Sequence, residues 1–248
     1  MLTYPTVEKM KEMRLKGMAS AYEDQMETPD IASLCFDERL GLLVDREQTE
    51  RDNRRLKTRL TKAKLKQEAC MEDIDYGAKR KLDKAQLLDL GSCRWLKEHN
   101  NLLVTGGTGV GKTYIACALA QKACREGLTS LYLRLPRLFG DLTIAKGDGR
   151  YSKLLARYSK VDLIVLDDWG ISPLNAENRR DLLEILDDRY EKKSTLITSQ
   201  LPVEKWHRYL EDPTLADAIL DRVVHNAYRI EMGGESIRKL KGKNKGKS

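Results

Sequence analysis

The sequence predicts an α/β fold, a five-stranded parallel sheet with helices on both faces, preceded by a small all-α N-terminal domain. Three observations predict it. From residue 100 onward short apolar runs alternate with amphipathic stretches, and strands alternating with helices make a parallel sheet covered on both sides. A Gly-rich loop, Gly106-Gly-Thr-Gly-Val-Gly-Lys-Thr113, lies between the first such run and the first such stretch. Ahead of residue 68 the apolar residues recur only at helical spacing.

A chain of 248 residues holds one full-sized domain and a smaller one. No apolar run is long enough to span a bilayer, and the first residues lack a signal-peptide core, so a cytoplasmic protein without a membrane partner is expected. The five cysteines are odd in number and form no C-x-x-C pair, and the three histidines are scattered. Reduced thiols are expected rather than disulfides or a zinc site.

Residues 6 to about 27 read as one helix with Thr6 as its N-cap, broken at Thr28-Pro29-Asp30. A second helix follows Ser33, with Phe36, Leu40, Leu43 and Val44 on one face, and a third runs from Glu47 to Gln67. Residues 68 to 100 lead into the main domain and include a helix from Asp83 to Glu98. The strands are then Leu102–Val104, Thr129–Arg134, Val161–Trp169, Ser194–Gln200 and Asn226–Glu231. Helices are expected over Tyr114–Arg125, Leu138–Arg157 with a break at Lys146–Arg150, Asn175–Lys192, and from Asp212-Pro213 onward. The domains expected are 1–70, helical; 71–235, the α/β domain that holds the Gly-rich loop; and 236–248, a basic tail.

The loop fits G-x-x-x-x-G-K-[ST], which cradles the phosphates of a nucleotide. Gly106, Gly109 and Gly111 let the backbone of Gly107, Thr108 and Val110 curl, so that N–H groups face phosphate oxygens. Lys112 would reach the β- and γ-phosphates of ATP, and the Thr113 hydroxyl would hold Mg²⁺. Leu163-Ile-Val-Leu-Asp167 supplies the second element of such a site. Asp167 would hold the metal, and Asp168 would orient or activate the attacking water.

The net charge of +7 is concentrated in two patches. Residues 236–248 carry six basic residues and no acidic one. Between Arg54 and Lys66 lie seven basic residues and no acid, and their mutual repulsion asks for an anionic partner. Arg54, Arg55, Lys57, Arg59 and Lys62 are the candidate contacts to double-stranded DNA, through phosphates and so largely independent of sequence.

The order of motifs resembles the AAA+ ATPases, and more narrowly the IstB-type transposition helper ATPases, relatives of the DnaC/DnaI helicase loaders. Phe36-Asp-Glu-Arg-Leu40, Asn53-Arg-Arg-Leu56 with Ala63-Lys64-Leu65, and Ile74-Asp-Tyr76 carry the resemblance in the first part of the chain. The phosphate loop, Leu166-Asp-Asp-Trp-Gly170, Thr198-Ser-Gln200 and Leu215-Ala-Asp-Ala-Ile-Leu-Asp-Arg222 carry it in the second. The resemblance implies an ATPase encoded by an insertion sequence. Such a protein forms a homo-oligomer on DNA with ATP and delivers target DNA to a partner transposase. It also implies that Gln200 or Ser199 senses the γ-phosphate, that Arg222 reaches into a neighbouring subunit's site, and that Arg238 is a candidate second sensor.

Two departures qualify it. Many AAA+ members carry Glu where Asp168 stands; Asp is one methylene shorter, so slow or partner-stimulated hydrolysis is expected. Few residues follow the fifth strand, so a helical lid is not expected and closure would depend on a neighbour. A helicase loader on the same fold, or a small-molecule kinase with a phosphate loop, are the competing readings. The kinase leaves both basic patches without a role.

Overall fold

The structure is a computed structural model that describes residues 5–77, 80–234 and 236. Two compact units divide between Thr58 and Arg59.

The first unit is helical: α1 (Pro5–Glu12), α2 (Lys16–Glu27) and the part of α3 (Phe36–Ala63) up to Thr58. The single helix expected over 6–27 is two. Arg14 adopts a left-handed backbone (φ 61°), and Leu15 N–H turns back to the Met10 carbonyl at 2.8 Å, which closes α1 and reorients the chain. Gly17 then lets α2 approach α3 closely, since a Cβ there would lie 2.6 Å from Glu47 Cα. The buried Glu47 carboxylate accepts from the N–H groups of Gly17 (2.7 Å) and Met18 (3.2 Å) at the start of α2. The two helices expected between Ser33 and Gln67 form one, because no breaker separates them. Glu38 caps its start by accepting from Cys35 N–H at 2.8 Å. Of the apolar face expected there, Leu43 is buried, while Phe36, Leu40 and Val44 are exposed.

The second unit carries the sheet. The strands β1 (Asn101–Gly106), β2 (Ser130–Arg134), β3 (Leu163–Trp169), β4 (Ser194–Ser199) and β5 (Ala227–Met232) lie in the order β2-β3-β4-β1-β5, and every pairing is parallel. Alternation along the strands feeds two cores. Leu102, Val104, Leu163, Val165 and Leu196 face α6 (Lys112–Arg125), together with α4 (Lys84–Gly91) and α5 (Arg94–Lys97). Leu103, Ile164, Leu166 and Ile197 face α7 (Leu135–Gly147), α8 (Tyr151–Lys160), α9 (Ala176–Arg189), α10 (Trp206–Leu210) and α11 (Pro213–Val224). The helix expected over 83–98 is interrupted at Cys93, whose backbone is left-handed (φ 58°). Asp83 caps its first part, accepting from Ala85 N–H at 2.8 Å.

The strand order positions the site. β4 inserts between β1 and β3, so the carboxyl end of β4 lies between the phosphate loop after β1 and the acidic pair at the end of β3. Ligands in open α/β sheets bind at this carboxyl edge. All five cysteines are free, and burial pushes the thiols of Cys93, Cys117 and Cys124 up. Among the described residues no helix is long and apolar enough to cross a membrane.

Candidate functional site

The loop between β1 and α6 is shaped by backbone that only glycine adopts readily. Gly106 sits at φ 145°, and a Cβ there would lie 2.3 Å from the Met232 carbonyl oxygen of the adjacent β5. Gly109 and Gly111 are also left-handed, at φ 83° and 111°. Gly107 and Thr108 are exposed at the rim, whereas the Val110 side chain is buried in the core and pins the loop. The Lys112 ammonium lies over the loop and donates to the carbonyls of Gly106 (2.8 Å) and Gly107 (2.7 Å). The α6 N-terminus opens behind it, adding its positive end to the same place.

Asp167 is the hub. It is 1% exposed and accepts hydrogen bonds from Thr113 (3.2 Å to each oxygen), Tyr132 of β2 and Thr198 of β4, and Lys66 Nζ lies 3.5 Å away. Burial alone would raise its carboxyl. The donors Thr198 and Tyr132, then the Lys66 charge, outweigh burial and hold it below the usual carboxylate range. Burial, and then the same contact with Asp167, push the Tyr132 hydroxyl up, so it stays a donor.

Asp168 stands one residue beyond, with a left-handed backbone (φ 68°) where the β3–β4 register shifts. Arg134, at the end of β2, donates to its carboxylate at 2.7 Å. Gln200 reaches the loop, its Oε1 accepting from the Thr108 hydroxyl at 2.6 Å. The Ser199 hydroxyl instead donates to the Trp169 carbonyl at 2.9 Å. Of the two sensor candidates, Gln200 is therefore the one facing the loop.

Two cavities meet here. The larger, about 460 Å³, lies between the loop, the segment around Asp73, Asp75 and Arg80, and Met232. The smaller, about 80 Å³, brings together Thr108, Lys112, Thr113, Asp167, Asp168 and Gln200. Among the described residues no three carboxylates, histidines or cysteines form a metal cage. One carboxylate beside one hydroxyl nevertheless fits Mg²⁺, which is bound by few protein oxygens together with substrate phosphates.

Arg222 is placed elsewhere. It sits on α11 beside the amino end of β1, its Nε 2.6 Å from Asp187 and its main-chain carbonyl bonded by Asn101. Within one chain it does not enter the site. The candidate DNA contacts also separate. Arg54 and Arg55 join Arg14 and Arg51 around a concavity of about 270 Å³ in the first unit, with Arg51 held by Glu47 at 2.6 Å. Lys57 and Lys62 are exposed on α3, while Arg59 donates to the Cys124 carbonyl at 2.9 Å. Arg238 and the basic tail beyond Ser236 lie outside the described residues.

Sequence reading missed Lys66, Tyr132 and Arg134 as neighbours of the acidic pair, and Arg14 as a neighbour of Arg54. Only Tyr132 left a trace, a hydroxyl-tipped side chain between Leu131 and Leu133.

Comparison with known proteins shows the family and the fold. The family described as IstB-like ATP binding protein matches residues 8–246. An insertion-sequence ATP-binding protein of Sinorhizobium fredii is 50% identical over 239 residues, 96% of this chain and 98% of its own length. The crystal structure of DnaI superposes with a TM-score of 0.57 at 26% identity, covering 66% of this chain and 90% of DnaI. That of the DnaC helicase loader superposes with a TM-score of 0.51 at 20% identity, over 60% of this chain and 86% of DnaC, which is a likeness of fold alone. The chain is a member of the IstB-like ATP binding protein family, built on the AAA+ phosphate-loop fold.

Proposed function

We propose that this protein is an ATP-dependent, DNA-binding transposition helper that oligomerises on target DNA and delivers it to a partner transposase. The observation carrying the reading is the convergence of Lys112, Thr113, Asp167, Asp168 and Gln200 on one small cavity, in a chain that also presents an arginine cluster. The relative from Sinorhizobium fredii, an insertion-sequence protein by name, supports the biological setting.

In this reading the loop N–H groups and Lys112 bind the triphosphate, and Gln200 and Thr108 stand at its γ end. Thr113 and Asp167 would hold Mg²⁺, which when bound supplies charge neutralisation at the β- and γ-phosphates. Asp168 orients the attacking water and accepts its proton while the bond from the γ-phosphorus to the bridging oxygen breaks. Arg134 bonds one oxygen of that carboxylate at 2.7 Å and leaves the other for the water, and the slow hydrolysis expected follows from the shorter reach of Asp. Arg222 acts in trans. Its ion pair with Asp187 is partly exposed and worth at most about 1 kcal/mol, so the guanidinium is free to exchange it for a neighbour's phosphate. A helical N-terminal domain of residues 1–70 carries the DNA role and a nucleotide domain of 71–235 the ATP role, with Lys66, past the unit boundary at Thr58, standing beside Asp167 of the ATP site, and the tail of 236–248 adds phosphate contacts.

Duplex-DNA binding with and without ATP, between ~50 and ~200 mM salt, tests the reading. Affinity is expected to need ATP, to ignore sequence and to fall steeply with salt. Replacing Arg14, Arg54 and Arg55 with Ala weakens all sequences alike and flattens the salt slope. Arg222→Ala keeps ATP binding but loses the ATP-dependent oligomer in light scattering. A monomer indifferent to salt and DNA would sink the proposal. The likeness to DnaI favours a second reading, a helicase loader, for which ATP-dependent capture of a replicative helicase instead of a transposase is the distinguishing result.

A further inference from the structure

Lys66 and Lys112 both line both cavities of the site, although they come from segments on opposite sides of β1. The chain fixes where Lys66 stands. α3 ends at Ala63, Lys64 turns through a left-handed backbone (φ 51°), and Ala63 and Ala69 are buried on either side. Leu65 packs against the core that covers α6. From this anchored turn the Lys66 ammonium comes to rest 3.5 Å from Asp167 Oδ2, with 37% of the side chain exposed.

Among the described residues Lys66 is the one cation paired with Asp167, whose other partners are the hydroxyls of Thr113, Tyr132 and Thr198. Of the other carboxylates around the cavities, Asp168 is engaged by Arg134 and Asp75 by Arg80, both at 2.7 Å, while Asp73 borders the larger cavity only. A divalent cation at Asp167 would repel an ammonium so close to the same oxygen. The lysine stem is flexible and its charge is a compact point with three donors, so it can turn to another anion nearby. In the nucleotide reading the anion that would share this cavity is the polyphosphate bound by Lys112.

We propose that Lys66 is a second phosphate-binding lysine of this site, which leaves Asp167 for the polyphosphate of a nucleoside triphosphate when a divalent cation occupies Asp167. The proposal rests on the nucleotide reading of the loop and adds to it a coupling. Metal entry at Asp167 and phosphate capture by Lys66 become one event, and the residue responsible lies in the segment joining the helical region to β1.

Calorimetry on the full chain with ATP and AMP, in Mg²⁺ and in EDTA, tests it with Lys66→Gln and Lys66→Arg. Lys66→Gln is expected to lose roughly 10- to 100-fold in affinity for ATP in Mg²⁺, the range for a charge-assisted hydrogen bond. It is expected to lose little in EDTA, where Lys66 stays on Asp167, and nothing measurable for AMP, while Lys66→Arg recovers most of the loss. A Lys66→Gln protein with a lower melting temperature but wild-type ATP affinity in Mg²⁺ would make Lys66 a structural partner of Asp167 and overturn the proposal. Equal losses for ATP and AMP would do the same, since they report general damage. Should the wild type itself fail to bind ATP, the nucleotide reading falls and the Lys66 proposal falls with it. Wild-type binding with an unchanged variant removes only Lys66.

Discussion

The two edges of the same sheet handle charge in opposite ways. At the amino edge, Arg189 is 1% exposed and donates to the carbonyls of Tyr158 and Val161 (2.7 Å each), to Ser194 and to the Thr195 hydroxyl. Asn101 is bonded on both sides of its amide, to the Arg222 carbonyl and the Thr195 N–H, each at 2.9 Å. Asp162 accepts from the Thr129 N–H (2.9 Å), the Thr129 hydroxyl (2.7 Å) and Lys193. Every one of these groups is engaged by its own chain, mostly by backbone, and the result is a closed seam. At the carboxyl edge, Asp167, Asp168, Lys112 and Gln200 border a cavity, and Gly106, Gly109, Gly111 and Asp168 hold left-handed backbone. Buried polar groups occur at both edges, so burial and polarity do not mark a site. Charge that borders a cavity on strained backbone does.

Breaking the amino edge should therefore cost stability and leave binding alone. Arg189→Ala strands several buried acceptors and opens a cavity, for an expected loss of about 3–5 kcal/mol in denaturant unfolding. The fraction that stays folded is expected to bind ATP with wild-type affinity. Impaired binding per folded molecule would show that the seam and the site are coupled.

Breaking the carboxyl edge should do the reverse. Lys112→Ala removes the point charge over the loop and is expected to weaken ATP binding by about 2–3 kcal/mol, with unfolding free energy within about 0.5 kcal/mol of wild type. Equal ATP affinity in calorimetry would remove the loop as the nucleotide site. Asp168→Asn keeps the Thr113–Asp167 pair, so ATP is expected to bind normally while steady-state hydrolysis is lost. Hydrolysis at the wild-type rate would move the water-orienting role to Gln200, which sits across the same cavity.

This contrast also explains what could be read in advance. The loop and Asp167 were legible because each is a local pattern: a glycine spacing, and an apolar run ending in an acid. The five strands were legible for the same reason. Lys66 was not, because 101 residues separate it from Asp167 and nothing around it distinguishes it from the basic residues of α3. Arg134 and Tyr132 owe their roles to β2 pairing with β3, a register that no single stretch encodes. In the helical region the reading divided α3 where composition changes from apolar to basic, yet no glycine or proline stands there to end a helix. Arg189 falls inside the helix expected over Asn175–Lys192, and its burial follows from the short α9–β4 connection that draws it under Ser194.

The smallest effect, and the sharpest for separating the edges, is a pH dependence at Asp162. Burial would raise this carboxyl, but the Lys193 ammonium and the two donors of Thr129 prevail and hold it below its ordinary value. A carboxyl depressed in the folded state stabilises the fold above the unfolded value, near pH ~4, and that contribution disappears as pH falls through the lower folded value. Asp162→Asn is therefore expected to destabilise by about 1 kcal/mol at pH ~7, a figure kept low because the Asp162 side chain is 26% exposed. The gap between variant and wild type narrows below pH ~4, since protonated Asp162 resembles the amide. ATP affinity at pH ~7 stays unchanged, because Asp162 lies at the opposite end of β3 from Asp167. A gap that persists undiminished to pH ~2 would mean that Asp162 acts through shape and neutral hydrogen bonds. The amino edge would then be held together by packing rather than by its carboxylate.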